Sequence, residues 1–214
     1  HKIKSEITNN NSLLNSFLLI KGNNKDLYFE TKVESYEDLT KEKSRDKYQY
    51  LLPSFEISKS FNNNLSLESN GYHKNYNTDI FEKVLINDLR YSSIPKINSK
   101  GLINKFNLLF KNVTTESDNS DEYTNEFRSQ NFGSLLYDIS YPLKKEGINF
   151  DNFLSGKASF MYSPNKNKNV KNLDRKININ NIFNQNRLGL NDSVEGGQSL
   201  TLGGEFKITD KQNN

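Results

Sequence analysis

Apolar and polar side chains take turns, one by one, along much of this 214-residue chain. From Ser199 to Ile208, Leu200, Leu202, Phe206 and Ile208 point one way while Ser199, Thr201, Glu205 and Lys207 point the other. Leu154, Ala158, Phe160 and Tyr162 oppose Ser155, Lys157, Ser159 and Ser163 in the same manner. Leu135, Tyr137, Ile139, Tyr141 and Leu143 oppose Ser134, Asp138 and Ser140, and Leu102, Phe106, Leu108 and Phe110 oppose Lys105, Asn107 and Lys111. Near the start, Leu27, Phe29 and Val33 are set against Glu30, Lys32 and Glu34. A period of two is the pleat of a half-buried strand. Few segments carry a helical period, and recurrent Asn and Ser disfavour helix. The pattern predicts ten strands, near residues 1–8, 12–20, 27–37, 47–61, 65–76, 80–92, 101–113, 127–142, 153–164 and 197–208.

Length and spacing sharpen this all-β, antiparallel meander. Most of the segments have the roughly 9–11 residues a tilted strand needs to cross a bilayer. The connections alternate between short turns (22–26, 62–64, 93–100, 144–152) and longer polar loops (38–46, 114–126, 165–196), with the tight connection near 77–79 as the exception. Tyr36, Tyr91, Tyr141 and Tyr162 stand near strand ends, where an interfacial girdle would lie. Together these features point to part of a large transmembrane outer-membrane β-barrel. Its outer face would carry Leu108, Phe110, Leu135, Tyr137, Phe160, Leu200 and Leu202. Its lumen face would carry Glu30, Lys32, Glu34, Glu56, Asp88, Arg90, Lys105, Asp138, Lys157, Glu205 and Lys207. A soluble antiparallel sandwich or a β-solenoid also alternates and stays open as an alternative.

Composition changes the picture in one respect. Hydrophobic content is 33% and mean hydropathy is −0.83, which in a soluble chain would suggest disorder, yet there are 14 Phe and 11 Tyr. A polar average rich in aromatics fits strands whose two faces meet different solvents. A net charge of +3, dispersed along the chain, leaves no nucleic-acid footprint. Cysteine is absent, so there is neither a disulfide framework nor a thiolate metal site. The chain opens on His1 without a signal-peptide pattern and reads as an internal piece of something longer. No apolar run is long enough for a transmembrane helix.

Candidate chemistry is sparse. No nucleophile elbow, triad spacing or phosphate loop occurs, so neither an enzyme nor a cofactor is expected. The acidic stretch from Glu116 to Glu122 offers oxygen ligands of the kind Ca²⁺ takes but lacks the EF-hand spacing, and reads as a solvated loop. His73 reads as a polar residue near a strand end, and Gly196-Gly197 as a backbone hinge into the last strand.

One segment carries more. Within residues 182–203, Phe183, Asn186, Arg187, Gly189, Asp192, Glu195 and Gly197 precede an alternating strand. This order resembles the signature of the lipopolysaccharide-assembly barrel family LptD, the organic-solvent-tolerance proteins. Tyr50-Leu51-Leu52-Pro53, Leu108 to Asn112, Tyr141 to Lys145 and Phe160 to Pro164 resemble further pieces of that family in the same order, so the likeness spans about residues 47–208. Gly189 stands one position earlier than in many relatives, and the family's redox-active cysteines have no counterpart.

The resemblance implies a mid-barrel fragment of the family's C-terminal domain, without its periplasmic domain, its remaining strands or its lateral opening. Such a barrel resides in the outer membrane of a Gram-negative bacterium. It receives lipopolysaccharide from an LptA-like periplasmic bridge, is plugged by an LptE-like lipoprotein, contacts membrane lipids and hydrolyses nothing. A generic porin or receptor barrel would share the alternation without the 182–203 signature. A non-membrane β-rich surface protein would bury its apolar faces against each other. In the last long loop, Ile177, Ile179, Ile182, Phe183 and Leu188 are too apolar for free exposure, so this half is expected to fold over the barrel mouth. Arg187 is expected to clasp Asp192 or Glu195, the alternative being a solvated Arg187.

Overall fold

The computed structural model describes residues 4–6, 12–41, 47–76, 80–169 and 176–211. Its strands are β1 (Lys4–Glu6), β2 (Leu13–Asn24), β3 (Leu27–Asp38), β4 (Tyr48–Ser60), β5 (Leu65–Tyr76), β6 (Ile80–Ser92), β7 (Lys96–Ile97), β8 (Ile103–Asp118), β9 (Arg128–Glu146), β10 (Phe150–Ser163) and β11 (Gly197–Asp210). They form one sheet in which each strand pairs with its neighbours in sequence, from β1 to β11, with β7 a side branch on β8. The pairing is antiparallel wherever its register is defined, as in Leu13↔Asp38 and Phe160↔Leu200. Among the described residues the two ends of this path do not pair, so the sheet is not closed.

The strands overrun several of the expected limits. β8 continues from 113 to Asp118, β9 from 142 to Glu146, and β2 from 20 to Asn24. Hydrophobic alternation ends where the apolar side chains end, but a backbone ladder needs only N–H and C=O groups to continue. The turns shrink accordingly, and the connection expected at 144–152 is reduced to 147–149. The connection at 93–100 is not a simple turn, because Lys96 and Ile97 pair with Asn104 and Ile103 as the short strand β7. Of the first expected strand, 4–6 is extended. The rest of 1–8, the tight connection 77–79 and part of 38–46 lie outside the described residues.

One irregularity keeps the faces in order. In β4, Ser54 pairs with Lys32 and Leu51 with Glu34, so Leu52 and Pro53 together oppose the single residue Val33. The same slip recurs against β5. This is a β-bulge, the place within a strand where a proline's missing N–H is tolerated. Its extra residue inverts the parity of β4. The stacked pair Tyr48 and Tyr50 projects outward before it and Ile57 after it, all three exposed.

The sheet divides into two compact units, residues 1–89 with 111–131 and residues 90–110 with 132–214. In both, burial is partly inverted relative to a water-soluble sheet: one face exposes its apolar side chains, while the covered face mixes charged and polar residues with Val84, Ile86, Leu109, Val113, Leu136 and Met161. In the second unit the exposed apolar residues include Phe106, Leu108, Phe110, Tyr137, Tyr141, Leu143, Leu154, Phe160, Tyr162, Leu200, Leu202, Phe206 and Ile208. Their alternate positions, Ser134, Ser159, Ser163 and Thr201, are buried. In the first unit Leu18, Ile20, Phe29, Val33 and Ile57 are exposed, while Glu34, Glu82, Asp88, Lys111 and Thr115 are buried. The apolar sets predicted for one face share that face, and they do not meet in a two-sheet core.

Candidate functional site

The polar face is the chemically rich side of the sheet. In the first unit, register aligns Lys21 with Glu30, Lys32 with Ser54, and Glu30 with Glu56, so these side chains share one face. Lys21 bridges Glu30 at 2.8 Å, Lys32 bridges Glu34 at 2.5 Å, and Tyr28 and Tyr36 donate their hydroxyls to Glu30 and Glu34. Glu30 and Glu56 stand directly opposite each other with like charge, and Lys21 offsets the first of them. A cavity of about 770 Å³ opens on this face, lined by Tyr36, Gln49, Glu56, Asn70, Tyr72 and Lys74 among others. Just outside β4, the Glu37 carboxylate 2.6 Å from Lys47 holds that ammonium above its ordinary pKa.

Deeper on the same face Asp88 and Lys111 form an ion pair at 2.7 Å, with side chains 7% and 5% exposed. Val84, Ile86, Leu109 and Val113, all buried, flank them on the same face of β6 and β8. The loop after β8 also turns toward this face: Ser120 donates to Glu82 at 2.6 Å, and Ser117 to the carbonyl of Thr124 at 2.8 Å. The acidic stretch from Glu116 to Glu122, expected as a solvated loop, is split, since Glu116 to Asp118 belong to β8. Among the described residues no cluster of metal-ligating side chains occurs.

In the second unit the polar face is covered by the chain itself. Residues 176–196 form a strap across it, and Gln185 fastens the strap by donating to Ser134 Oγ at 2.7 Å, Ser134 O at 3.0 Å and Asn107 O at 3.4 Å. Phe183 lies over Gly203, where a Cβ would come 2.7 Å from its ring, so the absence of a side chain there makes room for the aromatic. Under and within the strap Leu136, Met161, Leu190 and Val194 are buried, Val194 to 1% exposure. Asn165 closes the near end, donating to Gly133 O at 3.0 Å and accepting from Gly133 N at 3.2 Å.

Each signature residue has a place in this construction. Asn186 grips the backbone of Leu190, accepting from its N–H at 3.1 Å and donating to its carbonyl at 2.7 Å. Gly189 and Gly197 hold left-handed φ values of 62° and 100°, which disfavour any side chain. Arg187 meets Glu195 through two nitrogens, Nε at 2.9 Å and the other through Nη2, and both side chains are shielded. Asp192 pairs with Lys168 instead. The half of the loop expected to be ordered therefore packs onto the polar face of the strands, and the clasp partner is Glu195. Of the other polar-face candidates, Asp138 accepts from Ser159 and from Asn107, and Lys157 bridges Glu205 at 3.0 Å. Lys105 is half-buried, and Arg90 and Lys207 are exposed.

Sequence reasoning missed Gln185, Asn165 and Lys111 as partners, and it missed a hydrogen-bonded run of side chains on the outward face of β5, β6, β8 and β9. Asparagine is abundant, at 34 residues, so its structural positions do not stand out from the rest along the sequence. His73 packs edge-on against Phe81 at 5.2 Å. A scan against protein-family models finds no match for this chain, and a search of curated proteins finds no relative.

Proposed function

We propose that the chain is part of the wall of an outer-membrane β-barrel, with its apolar face toward lipid and its polar face toward the lumen. The observation that carries this is the inverted burial: exposed Leu108, Phe110, Phe160, Leu200 and Leu202 alternate with buried Lys111, Ser159 and Thr201. Exposed apolar area on this scale is a liability in water and a requirement in hydrocarbon. A strand in lipid must also pair every backbone group, so the intact barrel supplies partners for the outer edges of β1 and β11. Wall segments of this kind act by binding and guiding, and no step of bond making is assigned to it.

The particular barrel we propose is one that passes lipopolysaccharide to the outer leaflet. Support comes from the resemblance of residues 182–203 to the LptD signature and from the fact that those residues build the strap. The cavity in the first unit mixes Glu30, Glu56, Asn70 and Lys74 with Leu13, Leu51 and Phe55, a lining that can meet both the sugar and the acyl parts of an amphipathic cargo. A plug lipoprotein and a periplasmic bridge would be its partners. A photo-crosslinking amino acid at Asn70, on the cavity, and another at Leu108, on the lipid face, test both levels in cells. Lipopolysaccharide captured at Asn70 during transport supports the specific reading. Acyl chains captured at Leu108 without lipopolysaccharide at Asn70 leave a porin-like or receptor barrel. Capture of neither at either position removes the membrane assignment.

A further inference from the structure

The outward surface of the first unit does not stay apolar to the ends of its strands. Ser69 donates to Asn87 at 2.8 Å, Asn87 to Asn112 at 3.5 Å, and Asn112 to Asn131 at 2.8 Å and to Ser129 at 3.2 Å. Thr114 stands 3.1 Å from Ser129. These side chains occupy the outward pleat positions of β5, β6, β8 and β9, the positions that elsewhere carry Ile57 and Leu89. Further toward the long connections, Lys83 and Glu116 form a half-exposed ion pair at 3.1 Å. They border a cavity of about 280 Å³ lined also by Phe55, His73, Thr114 and Phe127.

A charged pair and a row of amides are costly in hydrocarbon; Asn112 engages its whole bonding capacity within the ladder, whereas Asn87 and Asn131 use only part of theirs. Ser129 and Asn131 remain exposed and able to bond outward. Lys83 and Glu116 present both signs side by side, which complements a layer of phosphates and their counter-charges. We propose that this ladder docks against the polar headgroup layer of the bilayer on the long-connection side. The hydrocarbon-facing surface of β5, β6, β8 and β9 ends there, and the ladder sets how deeply this part of the wall sits. The parts of β6, β8 and β9 beyond it then stand in the headgroup layer or in water.

Resting as it does on the membrane reading above, this placement is tested with two reporters. The chain contains no tryptophan, so single substitutions Leu89→Trp and Phe127→Trp report without background. They lie on either side of the ladder, at exposed outward positions. In vesicles with bromines along the acyl chains, Leu89→Trp is expected to be quenched severalfold more than Phe127→Trp, which answers instead to aqueous iodide. Replacing Asn112 and Asn131 by Leu should then draw Phe127→Trp inward, with a blue-shifted emission and new quenching by bromines near the headgroups. No acyl-chain quenching of Leu89→Trp would defeat the membrane reading itself. Equal deep quenching of both reporters would leave that reading standing and overturn the headgroup placement. An unchanged Phe127→Trp signal in a folded double-Leu variant would also overturn it, by reducing the ladder to a tie between strands. Should that variant not fold, the two reporters in the unaltered ladder still decide.

Discussion

Replacing Leu108 by Arg separates a lipid-facing sheet from a water-facing one. On β8 the outward positions Phe106, Leu108 and Phe110 are 38%, 44% and 51% exposed, and Asn104 and Asn112 bracket them. Leu108 is therefore the centre of the apolar run, four residues from either polar limit. At about 3.3 Å per residue that is about 13 Å along the strand, or about 10 Å of depth at a tilt of about 40°. A band about 20 Å tall, slightly less than the usual apolar height of about 25 Å, puts Leu108 near the midplane. There an Arg costs about 2–4 kcal/mol, a factor of about 30 to 1000 in the folding equilibrium. In water the same exposed position would tolerate Arg within about 0.5 kcal/mol. The control is Asn107→Lys on the opposite face. It loses the 2.7 Å bond from Ser92 but leaves an ammonium beside Asp138, for a net cost of about 1 kcal/mol. Equilibrium urea titration of the protein folded into phospholipid vesicles, read as the fraction running in the folded band on unheated gels, measures both. Costs within about 0.5 kcal/mol of each other would refute the assignment of faces.

Three further outcomes follow from the packing of the polar face. Arg187→Met leaves Glu195 shielded without its partner; it should cost about 1–3 kcal/mol and speed proteolysis within 176–196, and the Arg187→Glu, Glu195→Arg exchange should recover part of the protection. Protection equal to that of the unaltered protein in the single variant would show the clasp to be idle. Gly203→Val drives a side chain into the Phe183 ring and should cost about 1–3 kcal/mol in the same titration, whereas Gly204→Ala, with its nearest neighbour 3.8 Å away, should change little. Lys111→Met removes the ammonium beside the buried Asp88 carboxylate and should cost about 3–5 kcal/mol, while the Asp88→Leu, Lys111→Met pair should return close to the original urea midpoint. A double variant as unstable as the single one would mean that packing, not the missing ammonium, sets the loss.

The alternation of Leu200, Leu202, Phe206 and Ile208 with Thr201, Glu205 and Lys207 determines, by itself, a strand with one apolar face and one polar face. The same holds for β3, β8, β9 and β10, because side chains on a pleated strand diverge with a period of two whatever surrounds them. Connections of a few residues then leave little choice but antiparallel neighbours in chain order. What the pattern alone cannot determine is which face is covered, since alternation is identical for a sheet turned either way. The tertiary structure decides that: Ser159, Ser163 and Thr201 are buried while Phe160, Tyr162 and Leu200 are exposed. The full length of β8 and β9 was also hidden, because backbone pairing through Asn112 to Asp118 leaves no hydrophobic period to read. Long-range partners were hidden for the same kind of reason. Gln185 reaches Ser134 across 51 positions of sequence, and Lys111 finds Asp88 only once β6 and β8 lie side by side. A hydrogen bond or an ion pair of that kind depends on a distance in space, and no spacing along the chain encodes it.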